Sequence, residues 1–203
     1  MKDLIQIDAL FQRLQGAVNP RPLYPMNFML RAHSAYRAGV GAIMGGQLYE
    51  SKAVLRLCLE HAAYGFYIGS NSDRMKRWLC RGDSDANRNA VRKEFQISKI
   101  KAEIRNHAPK LSRHFDYLYN QLIDLGAHPN EQGYSLNSTI IKIDGDSHIK
   151  TIYLQEDGAP LDFSIKIAAQ VGLWSLFIMQ LLYPERYELL GIREKLEELR
   201  NRF

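Results

Sequence analysis

The sequence predicts a mainly α fold: one helical domain over residues 1–203, with a single small β-hairpin inserted at about 138–154, before the last two helices. Three observations carry this reading. Long segments repeat apolar residues at three- and four-residue spacing, which gathers them on one face of a helix. Clusters of Gly, Pro and Asn separate those segments by short connections of the kind found in bundles. One stretch, rich in Ile and Thr around an Asp-Gly pair, carries the only convincing strand signal. With 203 residues and 46% hydrophobic content the chain can bury a sizeable core, and no internal repeat or low-complexity tract interrupts it.

The first helix runs from about Asp3 to Gln15, with Leu4, Ile7, Leu10, Phe11 and Leu14 on one face, and Asn19-Pro20-Arg21-Pro22 ends it. A second, from about Pro25 to Met44, repeats small residues at Ala32, Ala35, Gly39 and Ala42, which lets another backbone come close. Gly45-Gly46 turns the chain, and so short a connection makes the next helix, about Leu48 to Ile68, an antiparallel neighbour. Gly69-Ser70-Asn71-Ser72 closes that helix and offers Asn71 or Ser72 as the following N-cap, ahead of a short helix holding Met75, Trp78 and Leu79. Gly82-Asp83-Ser84-Asp85 separates this from a basic stretch around Arg88 to Arg105. A further helix spans Lys110 to Leu125 and stops at Gly126-Ala127-His128-Pro129-Asn130, where the proline holds His128 extended. The hairpin pairs Ser138 to Ile143 with His148 to Leu154 through Asp144-Gly145-Asp146-Ser147. After Gly158-Ala159-Pro160 come an apolar helix around Ile165 to Tyr183 and a charged last helix, about Pro184 to Arg202, docked by Leu189, Leu190, Leu196 and Leu199.

Composition narrows the functional classes. Two cysteines, Cys58 and Cys80, do not make a disulfide framework, and the early acidic residues Asp3 and Asp8 with no long apolar run argue against an export signal, so a cytoplasmic protein is expected. The apolar stretch Ile165 to Tyr183 contains Lys166, Gln170 and Gln180 and reads as a central core helix rather than a membrane span. Net charge is +5, and the segment from Asn71 to Arg113 holds 12 Lys and Arg against 5 Asp and Glu, so the basicity is concentrated there. Arg74, Arg77, Arg81, Arg88 and Arg92 in that segment are the candidate nucleic-acid contacts, against the alternative of a merely solvated positive face.

Within the third helix, Arg56-Leu57-Cys58-Leu59-Glu60-His61 sets three ionisable residues inside an otherwise apolar run. At 100° per residue, Tyr49, Lys52, Arg56, Glu60, Tyr64 and Tyr67 share one stripe, partly desolvated because the remaining faces are apolar. A desolvated Arg56 needs a partner, and Glu60 one turn on is in reach. An ion pair supported by tyrosine hydroxyls, fixing how the helices pack, is one reading of that stripe; a functional site is the other.

The Arg56-x4-His61 motif on a bundle helix resembles the signature of HEPN ribonucleases, and the wider pattern resembles uncharacterised bacterial helical proteins grouped near them. The matching features run from the glycine turn through Leu55-Arg56-x3-Glu60 and Arg77-Trp78-Leu79 to Tyr119 and Gly126-Ala127-His128-Pro129-Asn130, covering roughly Ala32 to Asn130. The resemblance implies a HEPN-like bundle and a homodimer that joins two copies of the motif, with RNA as substrate and no metal or cofactor. Arg56 would neutralise the scissile phosphate, and His61 would move the proton of the ribose 2′-hydroxyl. Five residues along a helix is about 140°, so the two side chains point to different sides of the helix unless long side chains or the second subunit bridge the gap.

His128 and Asp124 at the end of the Lys110 helix, with Glu60 and Tyr64, are additional site candidates, the alternative for His128 being a loop histidine at a helix end. No histidine pair has metal-ligand spacing on a shared helix, Asp144-x-Asp146-x-His148 fits a hairpin turn better than a cation loop, and no phosphate-cradling glycine loop, nucleophile elbow or dinucleotide fingerprint occurs. Two functions follow as expectations: an RNA-binding, RNA-cleaving protein, or an inert interaction or small-molecule-sensing module. The latter requires an enclosed pocket, expected beside Tyr64 and Tyr67.

Overall fold

The computed structural model describes residues 1–16 and 23–203; the expected stop at Asn19-Pro20-Arg21-Pro22 lies outside them. Among the described residues the chain forms eleven α-helices and one two-stranded antiparallel sheet, a mainly α fold with a small hairpin.

Two long helices form the centre. α3 (Leu48–Gly69) packs against α2 (Tyr24–Met44) and α9 (Ala159–Gln180), while α9 also touches α1 (Lys2–Gly16). The apolar face expected of α1, Leu4, Ile7, Leu10, Phe11 and Leu14, is buried as a unit. The small-residue stripe of α2 does admit its neighbour, since the Leu55 side chain lies where a Cβ on Gly39 would stand. α9 is long and apolar enough to cross a membrane, and here α1, α2, α3 and α7 (Pro109–Leu122) cover it. Its buried run, Ile167 to Leu173 with Trp174, Leu176, Ile178 and Met179, is broken only at Gln170 and Phe177, which explains why its sequence shows so little amphipathicity.

The middle of the chain departs from expectation in its joints. Asn71 caps α4 (Ser72–Leu79) by accepting from the backbone N–H groups of Asp73 and Arg74. The basic stretch divides between two helices, α5 (Asp85–Glu94) and α6 (Ile97–His107), because Phe95 between them turns inward against Tyr64 and Tyr67. The helix expected to reach Leu125 ends regularly at Leu122 and opens into a wide turn, Ile123–Ala127, whose Gly126 sits at φ 134°, a conformation closed to residues with a Cβ. His128 is extended as expected.

A short helix absent from the sequence reading follows, α8 (Glu131–Asn137). Asn130 caps it, accepting from Gly133 N at 2.7 Å and donating to Ile123 O at 2.8 Å. The hairpin pairs β1 (Ser138–Ile143) with β2 (Asp146–Thr151), so the second strand begins and ends earlier than expected. Its turn is only Asp144-Gly145, both at positive φ, the two-residue form whose twist suits the strands. The charged last helix is also two, α10 (Pro184–Leu189) and α11 (Ile192–Arg200), separated at Gly191 with φ 60°. Three helices therefore follow the hairpin instead of two. Leu196 and Leu199 dock as expected, whereas Leu189 is 87% exposed because the break rotates it outward.

Candidate functional site

The six residues of the α3 stripe find different partners. Tyr49 lays its ring against Gly126 and Gly133, Tyr64 donates its hydroxyl to Phe95 O at 2.8 Å, and Tyr67 receives the Arg74 guanidinium 4.0 Å above its ring. Lys52 turns the other way, toward α9. It is 4% exposed, and Nζ donates to Ser164 Oγ at 2.7 Å while Ser164 donates onward to Pro160 O at 2.9 Å. No carboxylate stands within ion-pair distance of it among the described residues. Burial alone pushes the amine down to about 8, since apolar surroundings disfavour its charged form.

Lys52 and Ser164 lie on the wall of a cavity of about 340 Å³. Leu48 and Tyr49 of α3 form one side, Pro160 and Phe163 of α9 another, and Leu125 and Leu136 approach from the wide turn and α8. Asn137 and Gln155 add amides, and Gln155 N donates to Gly46 O at 2.9 Å, holding the segment after the hairpin over the α2–α3 turn. The cavity therefore exists only because the chain from α8 to α9 folds back onto α3. Its size suits a small organic molecule, and its wall combines apolar surface with one amine.

Arg56 and Glu60 do meet, with Nε 3.4 Å from Oε1, each about a quarter exposed. Arg56 Nη1 donates to Ala127 O at 2.8 Å, and Tyr119 donates its hydroxyl to Glu60 at 2.9 Å. The group joins α3 to α7 and to the wide turn. Burial, then the Glu60 charge, pushes the Tyr119 hydroxyl up to about 12. His61 lies elsewhere, its ring 6.3 Å from that of Phe28, and burial, then Arg31, holds it below the usual imidazole range against the opposing pull of Glu60. No hydrogen bond or ion pair joins Arg56 to His61 among the described residues. His128 is exposed and its Nδ1 lies 3.1 Å from Pro129 O; Asp124 is also exposed.

Three of the arginines in the basic segment are held by carboxylates. Arg77 grips Glu94 with two 2.6 Å bonds, Arg74 pairs with Glu103 at 3.0 Å, and Arg88 with Asp85 at 2.9 Å. Arg81 and Arg92 line a surface hollow with Tyr64, Trp78, Val91 and Phe95. A much larger groove, about 1080 Å³, opens between α7, α9 and α11, with Lys110, Arg113, Arg193 and Arg200 around it. On its floor His114 stacks on Trp174 with ring centres 4.0 Å apart, and burial, then Arg113 and Arg200, keeps this imidazole below its usual range.

Sequence reasoning missed two clusters. Helical spacing places Lys52 on the stripe but shows neither its burial nor its bond to Ser164. On α1 and α2, Gln15 donates to His33 Nδ1 and His33 Nε2 donates to Asp8 Oδ1, both at 2.6 Å, with Phe11 stacked on the imidazole. The seven-residue spacing of Asp8 and Gln15 put both on one helical face, and only the placement of α2 supplied the histidine. The sequence matches no family profile, no curated protein and no solved structure.

Proposed function

We propose that this chain is a small-molecule-binding helical module, with the cavity between α3, α8 and α9 as its ligand site. One observation carries the reading: a buried lysine without a carboxylate partner stands on the wall of a mostly apolar cavity of about 340 Å³. A bare amine in apolar surroundings costs stability, and two of its three hydrogens have no partner among the described residues. A ligand that satisfies it turns that cost into binding energy. The test is a thermal-shift panel of neutral, acidic and basic small organic compounds on the wild type and on Ala159→Trp, which plugs the cavity from an exposed wall position. Compounds that raise the melting temperature of the wild type alone support the reading. A panel with no shifts, or with shifts that survive the plug, overturns it.

A second reading, RNA binding, is favoured by the groove between α7, α9 and α11, where four cationic side chains surround the stacked His114 and Trp174. Cations follow the phosphate backbone, and the exposed His114 ring, backed by the buried Trp174, offers a face to a base. Retention of single-stranded RNA that weakens with salt and with Lys110→Glu plus Arg113→Glu supports it. The ribonuclease form of this reading, with Arg56 and His61 acting across a homodimer, is tested by RNA cleavage in EDTA beside an Arg56→Ala, His61→Ala double variant.

A further inference from the structure

Lys52 also bears on which head group the cavity accepts. Resting on the pocket reading above, we propose that the ligand is an amphipathic monocarboxylate, its carboxylate paired with Lys52 and its hydrocarbon part held by Leu48, Leu125, Leu136 and Phe163.

The charge count argues for a single negative charge. Lys52 is the only cationic side chain on the cavity wall among the described residues, and the nearby Arg56 is already engaged by Glu60 and by Ala127 O. A phosphate dianion would leave one charge uncompensated in apolar surroundings, a neutral head group would leave the ammonium without a counter-ion, and a second amine would be repelled. A carboxylate supplies one charge and accepts the unused Nζ hydrogens, while Ser164 retains its bond to Pro160 O. The remaining wall is mostly hydrocarbon, which selects an apolar body rather than a sugar or a polar amino acid. At roughly 30 Å³ per water, the cavity holds about eleven waters' worth of space, enough for an acid of about eight carbons.

Binding is then coupled to a proton. The free amine is half charged at about pH 8, and a bound carboxylate restores its charge, so the complex takes up a proton above that pH and weakens as pH rises. Other titratable groups stand around the cavity without contacting the amine. Tyr49 stands on α3, Asp124 in the wide turn, Glu131 on α8, Glu156 and Asp157 before α9, and Asp162 and Lys166 on α9; none pairs with Lys52, and all but Tyr49 are exposed.

The test is calorimetric titration of the full chain with octanoate and with octanol, at pH 7 and pH 10, on the wild type, Lys52→Met, Lys52→Arg and Ala159→Trp, each checked for helical content. The proposal expects octanoate to bind the wild type at pH 7, to weaken more than about tenfold at pH 10 and in Lys52→Met, and to keep measurable affinity in Lys52→Arg. It is overturned if octanoate binds no better than octanol, or equally well in Lys52→Met. In that case, binding of either probe that Ala159→Trp abolishes still upholds the pocket. If neither probe binds the wild type, both the proposal and the pocket reading fall for ligands of this size.

Discussion

Lys52 Nζ and Ser164 Oγ stand 2.7 Å apart although 112 positions separate them in the chain. This bond holds the amine against α9, beside the cavity and away from the Arg56 and Glu60 pair one turn further along α3. The consequence is a lysine stored in apolar surroundings with its charge only partly compensated.

That storage makes stability depend on pH with a definite sign. The folded amine titrates near 8 and an unfolded lysine near 10.5, so between these values the unfolded chain binds the extra proton and stability rises with pH. Below pH 8 the penalty is fully present, on the order of 3 kcal/mol from the size of the shift. Lys52→Met is expected to be more stable than the wild type at pH 7 and to lose that advantage by pH 10.5. Urea unfolding of both proteins at the two pH values checks this, and a constant difference between them would rule out the linkage.

Two glycines inside long helices should respond oppositely to alanine. A Cβ at Gly172 of α9 would meet the fully buried Tyr36 and Ile7 at 2.6 and 2.7 Å, so Gly172→Ala should destabilise by about 1–3 kcal/mol. At Gly41 of α2 a Cβ meets nothing within 4 Å, so Gly41→Ala should stabilise by about 0.5–1 kcal/mol. Thermal melts of the two variants read both signs.

The polar group between α3 and α7 should divide unequally. Tyr119→Phe removes only a hydroxyl while keeping the ring beside Phe115, and should cost about 1 kcal/mol. A double-mutant cycle on Arg56 and Glu60 should give a coupling below about 1 kcal/mol, because both side chains are partly solvated and Arg56 keeps Ala127 O. A coupling of several kcal/mol would mean that the pair is far drier than its exposure indicates.

The hairpin should open independently of the bundle. Its strands pair only with each other, and Ile140 and Ile149 opposite one another are 66% and 65% exposed. An isolated two-stranded ribbon is marginal in water. Amide hydrogen exchange should therefore be fast across β1 and β2 and slow in α3 and α9, and a short glycine-serine link in place of 140–149 should leave the melting temperature of the helices nearly unchanged. Protection of the strands equal to that of α9 would contradict this.

Sequence by itself determined the elements whose cause is local. The apolar face of α1, the glycine turn joining α2 to α3, the Asn71 cap and the Ile-rich hairpin follow from spacing and turn chemistry, which act between residues a few positions apart. The proximity of Arg56 to Glu60 was legible for the same reason. Local period could not show that Lys52 leaves the polar stripe, because long amphipathic side chains follow whichever neighbour packs above them, and that neighbour comes from α9. Nor could it show the pairing of Arg77 with Glu94 and Arg74 with Glu103, which engages two cations of the basic segment with carboxylates from later helices. Tertiary structure alone decided the cavity, since its walls come from α3, α8 and α9, and only the chain folding back on itself desolvates the amine that they share.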